Sequence, residues 1–382
     1  MELKKLTIFT LTFVLISSFC CAQDRPKVLI NALQVGRYHN LSQEDIDLIF
    51  AMAKNFPNGT ELSFAFVAGD STEAAGIKRQ NDSLVYVENG DRIFEIGMLS
   101  STFTATILAK LVTDGVVKPD APIKDLLPIK LQQSSMEGSE ITLKTLANHT
   151  AGLPFVPTNL RADWNSGGGP FRDYDKGKLY DYLSHQLTIQ STPGGSKEYS
   201  ALGAGLLSHI LTLVAQKPFA RLLSEAICTP LRMENTKVEL TASQKKKLVY
   251  GRTATGKIIA SWEWNILTGA GGIKSTANDL AKYIKANLAD TSFFGLTHKP
   301  TLDIDENFAV GLGWTIYKRE GIPTFLLYGG MGGYSSGIVF EISTQTGIVI
   351  LSNAAAAISE DGDYVPMLCR HLHNALRLRP II

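Results

Sequence analysis

The chain reads as an α+β fold whose sheet is assembled from both ends of the sequence, with a helical region inserted between them. Three observations carry that expectation. Short runs rich in β-branched and aromatic residues occur early, over Leu62–Val67 and Ser83–Val87. Such runs return late, over Gly313–Lys318, Thr324–Tyr328, Ser336–Ile342 and Gly347–Ser352. The stretch between, about 116–270, is loop-rich with helical spacing of its apolar residues. A length of 382 residues, 45% hydrophobic and 19% charged, suits one large globular domain or two interleaved ones.

The elements follow in order. Lys4 and Lys5 precede an apolar core, Leu6–Phe19, and Cys20-Cys21-Ala22 offers a cleavage point before Gln23. Residues 1–22 are expected to be a signal peptide and 23–382 the mature, exported protein, periplasmic or secreted. Acylation of Cys20 or Cys21 is the alternative, opposed by Phe19 or Cys20 standing where a small residue is usual. Ser42–Lys54 has helical apolar spacing, with Ser42 as its cap. Ser83–Val87 ends at an Asn89-Gly90 turn, and a helix from Met98 to Val112 is stopped by Asp114-Gly115. Gly167-Gly168-Gly169-Pro170 and Pro193-Gly194-Gly195 break the middle of the chain. Helices are expected at Lys178–Leu187, Leu202–Ala215, Pro218–Ile227, Thr276–Leu288 and Tyr364–Leu376. Past the leader no apolar run is long enough to span a bilayer. Cys228 and Cys369, the cysteines left after Ala22, are expected as separate buried thiols. A net charge of +1 without a long basic run argues against nucleic acid as a partner. Lys245-Lys246-Lys247 reads as a solvated helix end.

Several blocks carry a resemblance. Phe94-Glu95-Ile96-Gly97 leads into Met98-Leu99-Ser100-Ser101. Leu146 to Pro154 reads L-A-N-H-T-A-G-L-P. Pro193-Gly194 leads to Tyr199-Ser200-Ala201. Pro230 to Thr236 reads P-L-R-M-E-N-T, and Ala270 to Ala281 reads A-G-G-I-K-S-T-A-N-D-L-A. Gly311-Leu312-Gly313-Trp314 and Gly329 to Ser336 complete the set. In order and spacing these resemble the serine β-lactamase and penicillin-binding-protein superfamily, closest to its class C β-lactamase, esterase and D,D-peptidase branch. The resemblance implies a serine β-lactamase/transpeptidase-like fold, an antiparallel sheet flanked by helices plus a helical region. It divides the chain into sheet parts at about 30–115 and 271–382 and a helical part at about 116–270.

It also implies a catalytic set, and position by position this chain has lost it. The family's nucleophilic serine, at a helix N-terminus where its own N–H helps bind an oxyanion, is Met98. The lysine three residues on is Ser101. The tyrosine survives as Tyr199, but the asparagine of Y-x-N is Ala201. The K-T-G or H-x-G strand reads Leu327-Tyr328-Gly329, and the threonine of G-G-T-x-G is Met331. A thioether has no proton to lose and forms no stable acyl ester. Loss of a nucleophile alone costs about 10⁶ in turnover in a serine hydrolase of another fold. Shifting the register restores no serine–lysine pair: Ser100 would be followed by Phe103, and Ser101 by Thr104.

The leading expectation is therefore a catalytically inactive relative that binds a small-molecule, peptide or protein ligand. Its cleft would be lined by Met98, Ser101, Tyr199, Ala201, Leu327, Gly329, Gly330 and Met331. Two alternatives stand beside it, a hydrolase with Ser101 as a non-standard nucleophile and a purely structural role with a closed cleft. Ser100 lies about 200° around the helix from position 98 and would point away. Lys274 is a remote candidate to reach the site, and the S-x-x-K at Ser243–Lys246 reads as chance. No cofactor or metal site is expected. His371 and His373 are two apart on a helix and face different sides, while His149 suits a structural hydrogen-bonding role.

Overall fold

The computed structural model describes residues 30–31, 41–161, 167–355, 358–359 and 362–378. The leader expected at 1–22 lies outside them. One ten-stranded sheet draws strands from both chain ends. In chain order these are β1 (Ile30–Asn31), β2 (Glu61–Ala68), β3 (Ser71–Gln80), β4 (Ser83–Tyr86) and β5 (Leu302–Asp303). They continue with β6 (Phe308–Val310), β7 (Thr315–Arg319), β8 (Ile322–Met331), β9 (Tyr334–Glu341) and β10 (Thr346–Ser352). Their spatial order is β1-β4-β3-β2-β10-β9-β8-β7-β6-β5. The short β1 runs parallel to β4, and every other pair is antiparallel. The two chain ends meet at β2 against β10, with Ala65 opposite Val349.

Strands β9 and β10 are buried along their whole length and β2 nearly so, because both faces of the sheet are covered. Alternate residues serve alternate cores. Phe64, Phe66, Val339, Ile348 and Ile350 pack with the helices Gln43–Ala53 and Tyr364–Arg377. Ala65, Val67, Ile338, Phe340, Val349 and Leu351 face the larger core, shared with the helices Ser100–Thr113, Ala201–Ala215 and Ala277–Leu288.

Ser42 caps its helix as expected, with Asp45 returning the bond from its carboxylate to the Ser42 N–H at 2.7 Å. Expected helices appear at Lys176–His185, Ala201–Ala215, Ala277–Leu288 and Tyr364–Arg377. The one expected over Pro218–Ile227 is a helical turn, Phe219–Leu223, that widens into a π turn over Ser224–Cys228. Strand β3 is a correction, since its mixture of Ser, Thr, Glu, Lys and Arg hid it. Eight residues of pairing with β2 supply its order instead. The short helices Leu143–Ala147 and Ser292–His298 were also unread. Cys228 and Cys369 are free and buried, and Lys245, Lys246 and Lys247 are exposed beside the helix Ala242–Lys245. Among the described residues no helix is long and apolar enough to cross a membrane.

Candidate functional site

Met98 does not begin the α-helix, as the sequence suggested. It sits half-buried in a 3₁₀ turn, Gly97–Leu99, and the α-helix starts at Ser100. The turn is fixed by glycine on both sides. Gly97 has φ +54°, and a Cβ there would lie 3.4 Å from Cβ of Met331. A Cβ at Gly329 would lie 3.1 Å from the backbone nitrogens of both Met98 and Leu99. The end of β8 thus runs directly against the turn. The Ser336 hydroxyl ties the two together by donating to the Ile96 carbonyl at 2.9 Å.

The hydroxyls around this turn are engaged. Ser101 is buried, and its Oγ donates to the Met98 carbonyl at 2.8 Å. Ser100 points the other way, as helix geometry requires, and its Oγ accepts from Ile273 N–H at 3.2 Å. The Tyr199 hydroxyl donates to the Ala270 carbonyl at 3.3 Å, so Ser101 and Tyr199 each bond backbone rather than each other. Burial pushes the Tyr199 phenol well above its usual range, so it stays protonated at neutral pH.

Ala201 opens the helix Ala201–Ala215, capped by Ser200, whose Oγ accepts from Gly203 N–H at 2.9 Å. Its side chain is fully buried with Ala204 and Ala270, under Tyr199, Val156 and Trp264. Leu327 is also buried, whereas Met98, Tyr199, Gly330 and Met331 remain half-exposed. Sequence reasoning had placed Ala201 and Leu327 on the cleft lining. In the structure both are buried, because these apolar side chains pack into the core.

Sequence reasoning did not single out the aromatic residues near the turn. Trp262 lies against Gly169 and Gly332, where an added Cβ would come within 2.5 and 2.9 Å of its ring. Trp264 stacks on Phe171 with centroids 4.2 Å apart, and both Trp264 and Met331 lie over Gly271. Phe155, exposed, sits 6.1 Å from the Tyr199 ring. Glu95, next to the turn, anchors this segment by accepting from Trp262 N–H at 3.0 Å and from the Ser261 hydroxyl. Burial holds its carboxyl above the usual carboxylate range, with the Lys274 ammonium pulling the other way. Lys274 donates to the Val238 carbonyl at 3.3 Å and is pushed down by burial, with Glu95 opposing. The Trp262-Glu263-Trp264 triplet was the visible signal, two indoles at alternate positions.

His149 is a further correction. It is buried, packs 4.6 Å from the Tyr199 ring, and neither ring nitrogen has a hydrogen-bond partner among the described residues. Burial is the chief cause that pushes its pKa down to about 3. His371 is exposed, while buried His373 meets the Thr346 hydroxyl at 3.2 Å. Among the described residues no group of His, Cys, Asp or Glu is arranged to hold a metal ion.

The Beta-lactamase family model matches residues 81–364, a span that encloses every block quoted above. The chain is 27% identical over 269 residues to the D-alanyl-D-alanine-carboxypeptidase/endopeptidase AmpH of Escherichia coli (strain K12), covering 64% of this chain and 66% of that protein. It is 25% identical over 252 residues to a beta-lactamase of Pseudomonas fluorescens, covering 63% and 64%. The chain thus spans just under two thirds of these relatives' length. Among solved structures, a class C beta lactamase from Rhodobacter sphaeroides superposes with a TM-score of 0.71 at 19% identity, over 88% of this chain and all of that one. A beta-lactamase/D-alanine carboxypeptidase from Yersinia pestis, complexed with citrate, gives 0.69 at 21%, over 87% and 97%. These solved structures share the fold, and because the Beta-lactamase family model covers well over half of the sequence, this chain belongs to the beta-lactamase family.

Proposed function

We propose that this protein is an exported, catalytically inactive member of the family that binds a ligand in the cleft between its sheet and its helical region. The observation that carries this reading is Met98, a thioether on the turn that β8 presses against, where the family resemblance places the nucleophile. The neighbouring hydroxyls support it. Ser101 is bonded to a carbonyl and Tyr199 is held as a neutral phenol, so neither has the base that nucleophilic catalysis needs. The names of the relatives describe active enzymes, and that activity is not carried onto this chain. Half-exposed Met98 and Met331, with Trp264 beside Met331 and Phe155 beside Tyr199, favour a ligand with an apolar or aryl body.

The test is intact-mass analysis of the mature protein after exposure to a penicillin and to a fluorophosphonate. No stoichiometric mass increase is expected with either. A full-occupancy adduct on Ser100 or Ser101 would overturn the reading in favour of a non-standard nucleophile. N-terminal sequencing of the protein recovered from cells checks the export half, with Gln23 as the expected first residue.

A further inference from the structure

Away from the cleft, a pocket of about 450 Å³ opens between the C-terminal ends of the helices Ser100–Thr113 and Ala201–Ala215 and the segment that carries the π turn Ser224–Cys228. The first helix starts at the Met98 turn and the second beside Tyr199. At 1.5 Å per residue their far ends lie roughly 20 Å from the cleft, so the pocket is a separate site. Its floor is apolar, with Ile107 and Leu111 from the first helix, Val214 from the second, and Leu222 and Ala226 from the third segment. Val116, on the same lining, is 49% exposed. Ala226 belongs to the π turn, a rare helix form that is frequent at functional sites.

Charges border this floor and do not cancel. Lys110 and Asp114 pair one to one at 2.6 Å. Glu225 serves two cations, accepting from Lys217 Nζ and from Arg221 Nε, each at 2.6 Å. Three cations against two carboxylates leave one positive charge, on side chains that all reach solvent. The last carbonyls of the two helices, which would favour a cation, are met by the chain turning back. Gly115 and Val116 donate to the carbonyls of Val112 and Leu111, and Gln216 and Lys217 to those of Leu213 and Thr212. We propose that this pocket binds a small amphiphile with an apolar chain and a single anionic head, the chain on the Ile107, Leu111 and Val214 floor and the head at Lys217 and Arg221. Burial of the chain drives binding, and two cations that share one carboxylate keep charge for a second.

The test is thermal unfolding of the mature protein titrated with octanoate, octanol or octylammonium, all below micelle-forming concentrations. Octanoate should raise Tm saturably, and the other two should need about threefold or more higher concentration for the same rise. Ala226→Leu, which fills the floor, should weaken octanoate at least about tenfold. Lys217→Gln with Arg221→Gln leaves Glu225 alone at the rim and should reverse the order, octylammonium then binding better than octanoate. Crystals soaked in 8-bromooctanoate give a readout independent of the variants, an anomalous bromine peak between Leu111 and Ala226. Equal octanoate responses in wild type and both variants, no preference among the three heads in wild type, or bromine beside Met98 instead would overturn the proposal.

Discussion

The two ends of the cleft treat polarity in opposite ways. At the Met98 end each hydroxyl has a backbone partner: Ser100 with Ile273, Ser101 with Met98, Ser336 with Ile96 and Tyr199 with Ala270. At the other, beside Leu327, the Trp314 and His149 nitrogens have none and Lys197 makes no ion pair, among the described residues. A side chain locked to a carbonyl and lacking a base serves the fold. A buried donor without an acceptor marks a place where something else belongs. On the function proposed here the first end is closed chemically, and the second keeps buried polar groups unmatched.

The largest effect comes from forcing polarity into the closed end. Met98→Ser, Ser101→Lys and Ala201→Asn together restore three of the side chains that the family resemblance expects. Ser101 and Ala201 are buried, and each new polar group costs about 1–3 kcal/mol unless it finds partners. Denaturant unfolding should show a combined loss of about 4 kcal/mol. A loss under about 2 kcal/mol would mean that this end has the spare room and unmet bonds assigned only to the other.

Next in size is the acid sensitivity of the incomplete end. His149 has its pKa lowered from 6.5 to about 3, so the folded state keeps it neutral while the unfolded chain takes up a proton below 6.5. The unfolded state then binds more protons, and stability falls as pH drops from 6.5 toward about 3. The slope from this one group approaches about 1 kcal/mol per pH unit. His149→Asn, which tolerates the residue's φ of +59°, should flatten that slope relative to wild type. His209 and His373 are lowered too, so the difference between the two proteins is the quantity to measure. Parallel slopes would show that His149 is not held neutral.

Lys197→Met is the smaller probe of the same end. Removing a half-buried ammonium with no counter-charge among the described residues should raise stability by about 1 kcal/mol at neutral pH. The Lys197 pKa is lowered from 10.5, so wild type recovers ground on the variant as pH rises toward 10.5, where the folded ammonium deprotonates first. A variant less stable than wild type at every pH would show that the ammonium is already compensated within the protein.

The contrast between the ends also separates what the sequence revealed from what it hid. The replacement of the serine, lysine and asparagine that the family resemblance expects was read from motif blocks, with Phe94-Glu95-Ile96-Gly97 setting the frame for position 98. The strands with dense β-branched runs were legible for the same local reason. Strand β3 was not, because its order comes from pairing with β2 rather than from its own residues. Lys197 was printed between Pro193 and Tyr199, yet nothing local tells a solvated lysine from one folded inward against Thr315. His149 was read as hydrogen-bonding because it stands in the H-T-A-G-L-P loop. Its orphaned nitrogens appear only when β7, β8 and the loop before Tyr199 enclose them.

The smallest expected effect is that of Met98→Ser alone, and its smallness is the point. Position 98 is half-exposed, so a serine there changes stability by only about 0.5–1 kcal/mol. It restores a hydroxyl at the turn beside Gly329. A serine needs a base to become a nucleophile. The residue three along is Ser101, already donating to the carbonyl of residue 98, and the Tyr199 phenol is held protonated by burial. Hydrolysis of a p-nitrophenyl ester by wild type and by Met98→Ser should therefore stay within about twofold of the buffer rate. Ser101→Ala should leave that rate unmoved. Turnover in wild type that Ser101→Ala abolishes would place a working nucleophile at the end described here as closed, and the contrast between the two ends would collapse from that side.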